Sequence, residues 1–149
     1  MDGKKVLSFK ILDYKDTKEI AKSIGLREHV LKRGMYDINM ILSEIANLEV
    51  VIISAYIGDI IVGSAYVSTL KVDEEEYFLI SNIFVAEELR GRKIGQNLLY
   101  FVLGSKDKLN SILNKKCSQF ILRPTNQSRS FYIKANFEDY DDSFMVRRI

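Results

Sequence analysis

The sequence predicts an α+β (α/β sandwich) fold, with a mixed, mostly antiparallel central sheet of about six to seven strands flanked by about four helices. Two kinds of segment alternate along the chain, namely β-prone apolar runs and apolar residues at helical spacing. Their order is strand, helices, three strands, helix, strand, helix, strand. The 149 residues are 47% hydrophobic and 28% charged, which fits one compact domain over residues 1–149.

The N-terminal part of the chain contains one strand and two helices. The strand is expected over about residues 6–13 and the first helix over about 16–33, with Gly25 breaking or kinking it. The second, amphipathic helix is predicted by apolar residues that recur every three or four positions: Ile38, Ile41, Leu42, Ile45 and Leu48.

Three strands are expected next, over residues 50–57, 60–70 and 78–85. The first two flank Gly58-Asp59, which predicts a two-residue hairpin turn of the type that places glycine first. An acidic turn over residues 73–76 separates the second strand from the third.

The C-terminal part alternates helices with short strands. A helix begins near Ile94 and is expected to end at Gly104, and the polar stretch after it is interpreted as a connection with a short second helix. Strands are predicted at residues 120–122 and 143–148.

Another helix is predicted between those two strands. Pro124 opens it, either Thr125 or Asn126 caps its N-terminus, and Asn136 is expected to close it in a left-handed conformation.

A basic, glycine-bearing turn joins the strand at 78–85 to the helix that follows. Gly91 and Gly95 allow close approach of the backbone, and the helix start supplies free N–H groups. Arg90, Arg92 and Lys93 add positive charge. The pattern is typical of a phosphate site, although it matches neither a Walker loop nor a dinucleotide fingerprint. A merely solvated surface turn is the alternative.

Composition excludes several classes of protein. The net charge of +2 is too small to predict nucleic acid as the main partner. One cysteine, Cys117, cannot form an internal disulfide, and with the single His29 it makes no metal site, so we expect no metal. Because the sequence has neither a signal peptide nor an apolar run long enough for a bilayer, we expect a cytoplasmic protein with no membrane partner.

The order of elements and three motifs resemble the GNAT superfamily of N-acyltransferases. Arg90 to Gly95 is similar to its pyrophosphate loop, Arg/Gln-x-x-Gly-x-Gly/Ala, and Phe131 to Phe137 is similar to its Phe-Tyr-x-x-x-Gly-Phe segment. The hairpin at residues 56–63 fits the second and third strands of that fold. Two positions depart from the pattern. Asn136 replaces a glycine, and Lys93 replaces another, where it is either strained in a left-handed conformation or tolerated in a first helical turn.

The resemblance implies acetyl-CoA as the acyl donor. The pantetheine arm would lie along the strand at residues 83–85, and a backbone N–H near Ile83 or Phe84 would polarise the thioester carbonyl. The residues expected to bind the cofactor are Ile83, Phe84, Val85, Arg90, Gly91, Arg92, Lys93, Ile94, Gly95, Gln96 and Asn126.

Tyr132 is the predicted catalytic residue, as the general acid that protonates the leaving thiolate. Its alternative role is packing. No carboxylate occupies the strand positions where the family often has its base. Either Glu76 or a water held by Ser81 or Asn82 would accept the proton of the amine.

The predicted reaction is direct attack by a primary amine of a small molecule or peptide on acetyl-CoA in a ternary complex. Four acids in the last loop region would attract a cationic amine, or else form a solvated loop: Glu138, Asp139, Asp141 and Asp142. A GNAT-like module that binds acyl-CoA with weak or no turnover is the alternative function, and a nucleic-acid binder ranks last. The sequence is compatible with a homodimer.

Overall fold

The computed structural model describes residues 6–31 and 38–148, and its centre is a seven-stranded sheet. In chain order the strands are β1 (Leu7–Leu12), β2 (Val51–Ile57), β3 (Ile60–Val72), β4 (Glu75–Val85), β5 (Phe120–Leu122), β6 (Glu138–Asp139) and β7 (Met145–Arg147). Their order in the sheet is β1-β2-β3-β4-β5-β7-β6. Among the described strands only β4 and β5 pair in parallel, which confirms the mixed, mostly antiparallel sheet.

Five α-helices cover the sheet in the described ranges: α1 (Thr17–Leu31), α2 (Ile38–Ala46), α3 (Ile94–Gly104), α4 (Lys106–Leu113) and α5 (Arg129–Lys134). Apolar side chains of α1 and α2 pack on one face, against Ile52 and Tyr66, and those of α3, α4 and α5 pack on the other. The central strands are therefore buried on both faces, which explains their continuous apolar runs. The predicted α+β sandwich is confirmed.

The predicted turns are largely confirmed. Gly58 has a φ of 61° in the β2–β3 hairpin and Asn136 a φ of 69° after α5. The β3–β4 turn is shorter than the acidic run, because only Asp73 and Glu74 have positive φ values, of 50° and 74°. The strand already begins at Glu75.

Three details of the predicted helices are wrong, namely the break at Gly25, the inclusion of Leu48 in the second helix and the start of the last helix. Helix α1 runs through Gly25 without a break, because packing of the helix outweighs the roughly 1 kcal/mol cost of glycine. Leu48 lies beyond α2 with a φ of 61°. The predicted end of α1 at residue 33 lies outside the described residues.

The start of α5 is the third error. Its N-cap residue is Ser128, so neither Thr125 nor Asn126 caps it. The Ser128 hydroxyl accepts a hydrogen bond from the Thr125 N–H at 2.9 Å, and Thr125 Oγ1 accepts one from the Ser128 N–H at 3.1 Å. These reciprocal bonds close a turn that replaces the first predicted turn of helix.

No helix in the described ranges is both long enough and apolar enough to cross a bilayer.

Candidate active site

Strands β4 and β5 stop pairing halfway along β4. They pair only from Phe78 to Ile80 on β4, opposite the whole of β5. Ser81 is then an extra residue relative to β3, since Tyr66 lies opposite Asn82 and the next pair already involves Ile80. After this bulge β4 stays paired with β3 alone. The result is a wedge-shaped opening beside the end of β4, where a bulge commonly redirects a strand.

Backbone groups of Ile83 and Val85 face this opening. The N–H of Ala86 donates to the carbonyl of Val62 at 2.8 Å, and the carbonyl of Phe84 lies against β3. Because the polar groups of successive strand residues point to opposite sides, those of Ile83 and Val85 point away from β3. Between Ile83 and Phe84, the N–H expected to face a thioester is therefore that of Ile83.

The basic turn before α3 has two left-handed residues. Gly91 has a φ of 85°, and Lys93, the N-cap residue, has φ 62° and ψ 18° with no side-chain cap. The first helical bond joins the Asn97 N–H to the Lys93 carbonyl at 3.0 Å. The N–H groups ahead of it point outward from the helix start, where anions bind. Lys93 therefore has the strained left-handed conformation and does not lie in an ordinary first helical turn. This conformation costs about 1–2 kcal/mol for a residue with a side chain.

A cavity of about 570 Å³ lies between the end of β4, this turn and α5. Nine of the eleven predicted cofactor residues line it, and Arg92 and Asn126 do not. Among the described residues its charged side chains are Arg90 and Lys93, so the cavity is positive. Its full lining is Ile83, Phe84, Val85, Leu89, Arg90, Gly91, Lys93, Ile94, Gly95, Gln96, Ser128, Phe131 and Tyr132.

A second cavity, of about 400 Å³, also borders Tyr132. It shares Ile83, Arg90, Ser128 and Tyr132 with the first cavity. The rest of its lining is Leu31, Ile80, Ser81, Asn82, Leu122, Arg123, Thr125 and Gln127. The two cavities therefore meet at a junction that includes Tyr132 and Ile83.

Tyr132 is only 6% exposed although it borders both cavities. Its ring meets those of Phe131 and Phe137 edge-on, with centroids 5.1 and 5.6 Å away. Burial raises the pKa of Tyr132 to about 12. The hydroxyl makes no hydrogen bond to another residue in the described part of the chain, so its proton is available to a ligand.

Ser128 and Leu89 also border the first cavity, and the sequence interpretation missed both. The signal that could have found Ser128 is the Thr125-x-x-Ser128 spacing just before the Phe-Tyr segment, which favours a reciprocal turn at a helix start. The two candidate water holders, Ser81 and Asn82, do line the second cavity.

Glu76, the candidate base, lies far from this junction. It is paired with Lys115 at 3.2 Å and lies opposite Lys71 near the start of β4. Ile83 lies seven positions further along the strand, which corresponds to about 23 Å. It borders neither cavity.

The acids of the last loop region border neither cavity either. Asp139 is paired with Arg129, and Glu138 is paired with Arg148 at 3.3 Å. Asp141 accepts hydrogen bonds from two backbone N–H groups of its own turn. The interpretation of these residues as the rim of an acceptor site therefore finds no geometric support.

The described residues contain no group of three or more His, Cys, Asp or Glu side chains placed to hold a metal ion. Cys117 is buried, and burial raises the pKa of its thiol, as expected for a core thiol rather than a nucleophile.

Solved structures share this fold along most of their length. An acetyltransferase from Clostridium acetobutylicum, described as predicted and solved with acetyl-CoA, is 19% identical with a TM-score of 0.68, over 92% of this chain and 93% of that one. Arabidopsis thaliana Naa50, in complex with a bisubstrate analogue, is 23% identical with a TM-score of 0.67, over 96% and 99%. At these identities the likeness shows the fold alone.

An aminoglycoside acetyltransferase from an uncultured soil metagenomic sample, solved with sisomicin, is 15% identical with a TM-score of 0.67, over 87% of this chain and 85% of that one. No curated protein matches the sequence. The family model for the acetyltransferase (GNAT) domain matches residues 49–139, which is more than half of the chain and includes the bulge, the basic turn and the Phe-Tyr segment. The chain therefore belongs to the GNAT family of acetyltransferases.

Proposed function

We propose that the protein transfers an acetyl group from acetyl-CoA to a primary amine by direct attack in a ternary complex. The observation that carries this proposal is the meeting of two cavities at Tyr132 and Ile83. A donor in the first cavity and an amine in the second would come into contact at that junction, and holding both reactants there makes the attack effectively intramolecular.

The first cavity is suited to the CoA donor. The free N–H groups at the start of α3, with Arg90 and Lys93, would bind the pyrophosphate. The amide-bearing pantetheine arm would add to the open edge of β4 through the backbone of Ile83 and Val85. The Ile83 N–H would then stabilise the negative charge that develops on the thioester oxygen. Contacts of Arg92 and Asn126 with the cofactor stay predictions.

Tyr132 would supply the proton to the leaving sulfur. The amine nitrogen bonds to the thioester carbon, the carbon–sulfur bond breaks, and the phenol proton passes to the thiolate. With pKa values of about 12 for Tyr132 and about 8.5 for a thiol in water, full transfer is uphill by roughly 5 kcal/mol. A thiolate buried beside Tyr132 would be destabilised by the same effect, and the resulting rise in its pKa would reduce this difference.

The proton of the amine would leave through water. No carboxylate of the described residues borders the second cavity, but Ser81 and Asn82 do, and both can hold a water beside the junction. This arrangement suits an amine that binds in its neutral form. The cytoplasmic setting stays a prediction.

The proposal is tested by combining binding with turnover. Acetyl-CoA in excess should raise the melting temperature of the protein, because it binds the native state. Thiol release with a panel of primary amines should then exceed the rate of acetyl-CoA hydrolysis without an amine. No thermal shift would reject the CoA site itself.

The lack of a carboxylate at the second cavity, among the residues that the structure describes, favours a second candidate function, an acyl-CoA-binding module with weak or no turnover. It predicts the same thermal shift but little or no thiol release with any amine of the panel. A measurement of turnover therefore distinguishes the two functions.

A further inference from the structure

The second cavity is positively charged. Its charged side chains, within the ranges that the structure describes, are Arg90 and Arg123, and no carboxylate accompanies them. We infer that the acceptor is an amine that also carries an anionic group, a carboxylate or a phosphate, and that Arg123 binds this group. The inference rests on the proposed acetyl transfer.

Arg123 is held in a suitable position for this role. It directly follows β5, and its guanidinium lies over the ring of Phe144 at 4.9 Å from the centroid. This contact positions the exposed guanidinium, whose planar N–H groups can bind a carboxylate or phosphate through two parallel bonds. Arg123 forms no ion pair with a described residue.

Asn82 adds hydrogen-bond donors to the same cavity. Arg27 Nε donates to Asn82 Oδ1 at 3.2 Å. Since a guanidinium can only donate, the amide oxygen must face Arg27, and the amide N–H groups of Asn82 are left for the cavity. Arg123 and Asn82 thus both offer hydrogen-bond donors to the anionic group of the acceptor.

The orientation of Asn82 is built into the core. Arg27 is only 7% exposed and lies one turn after Ser23 on α1. The Ser23 hydroxyl donates to Ser64 Oγ on β3 at 2.7 Å, and all atoms of both serines are buried. This contact holds α1 against the sheet and directs Arg27 toward β4.

The same charges suit the chemistry at the junction. Arg90 borders both cavities, so its positive charge acts on the second cavity as well as on the first. Positive charge disfavours an ammonium ion and favours the neutral, nucleophilic amine. An anionic anchor on the acceptor would hold the molecule in a cavity that by itself repels a simple cation.

Two matched pairs of amines test the inference: ethanolamine with phosphoethanolamine, and alanyl-alanine amide with alanyl-alanine. Affinity is measured by calorimetry in the presence of CoA, and turnover by thiol release from acetyl-CoA. The anionic member of at least one pair should bind about tenfold more tightly or better, and the pair that responds identifies a phosphate or a carboxylate as the preferred group. Arg123→Gln should remove most of that preference.

Arg148→Gln is the matched control, because Arg148 is an exposed arginine paired with Glu138 away from both cavities. It should leave the preference intact. Equal affinity for both members of each pair, or an unchanged preference in Arg123→Gln, would overturn the inference. Selective binding of the anionic member without thiol release from any amine would instead reject acetyl transfer while leaving the anion site in place.

Discussion

The two cavities that meet at Tyr132 are built in different ways. Apart from the three α5-side residues, the first is made from one stretch of chain, residues 83–96, and offers N–H groups of β4 and of the α3 start. The second is assembled from residues of α1, β4, the basic turn, the end of β5 with the segment after it, and α5. Backbone groups have the same chemistry in any sequence, whereas side chains do not. The first cavity therefore suits a donor common to a family, and the second can change its ligand with a few substitutions.

Tyr132→Phe tests the junction and should have the largest effect. The variant removes only the hydroxyl, so kcat should fall by about 100-fold or more while the affinities of both ligands stay within about twofold. Steady-state thiol release and calorimetry measure the two quantities. Tyr100→Phe, on the exposed side of α3, is the control and should retain full activity. An unchanged kcat in Tyr132→Phe would reject its role as the acid.

Gly63→Ala should damage the first cavity through the backbone. A Cβ at this position would lie 2.7 Å from the carbonyl oxygen of Phe84, which is backbone and cannot move without shifting β4. We expect a loss of about 1–3 kcal/mol in the free energy of unfolding and weaker binding of acetyl-CoA, measured by denaturant titration and calorimetry.

Gly25→Ala is the matched control for that substitution. A Cβ there meets no atom within 4 Å, and the residue lies inside α1. This change should stabilise the protein by about 0.5–1 kcal/mol. If both alanine variants had the same stability, the close approach of β3 to Phe84 would be refuted.

Lys93→Gly distinguishes the contribution of the Lys93 backbone conformation from that of its side chain. Glycine adopts the left-handed conformation of Lys93 without strain, so the variant should be about 1 kcal/mol more stable than Lys93→Ala, which loses the same charge. Both variants should keep most of their acetyl-CoA affinity, because the N–H groups of the α3 start remain. A complete loss of affinity in Lys93→Gly would mean that the side chain, and not the backbone, binds the phosphate.

The pH dependence of kcat should be the smallest effect. A tyrosine with an ordinary pKa of about 10 would lose half of its acid form at pH 10. Because burial raises the pKa of Tyr132 to about 12, the acid form persists through this range, and kcat should not fall between about pH 8 and 10 on its account. A descending limb below pH 10 that disappears in Tyr132→Phe would contradict this expectation.

The contrast between the cavities also explains what the sequence could predict. The elements that build the first cavity are consecutive, so a β-prone run, glycines and a helix start point to it directly. The second cavity brings together Leu31, Asn82 and Arg123, which lie 51 and 41 positions apart along the chain, and no local pattern connects them. The start of α5 is predicted wrongly for a different, local reason, since reciprocal bonds between Thr125 and Ser128 override the caps that propensity favours.

The most direct test of the account is an experimental structure with acetyl-CoA bound. We predict the pyrophosphate at the N–H groups of the α3 start, the thioester carbonyl on the N–H of Ile83, and the sulfur within about 3.5 Å of the Tyr132 hydroxyl. The second cavity should stay open beside the thioester carbon. A pantetheine arm that leaves the edge of β4, or a sulfur that Tyr132 cannot reach, would contradict the assignment of the two cavities to donor and acceptor.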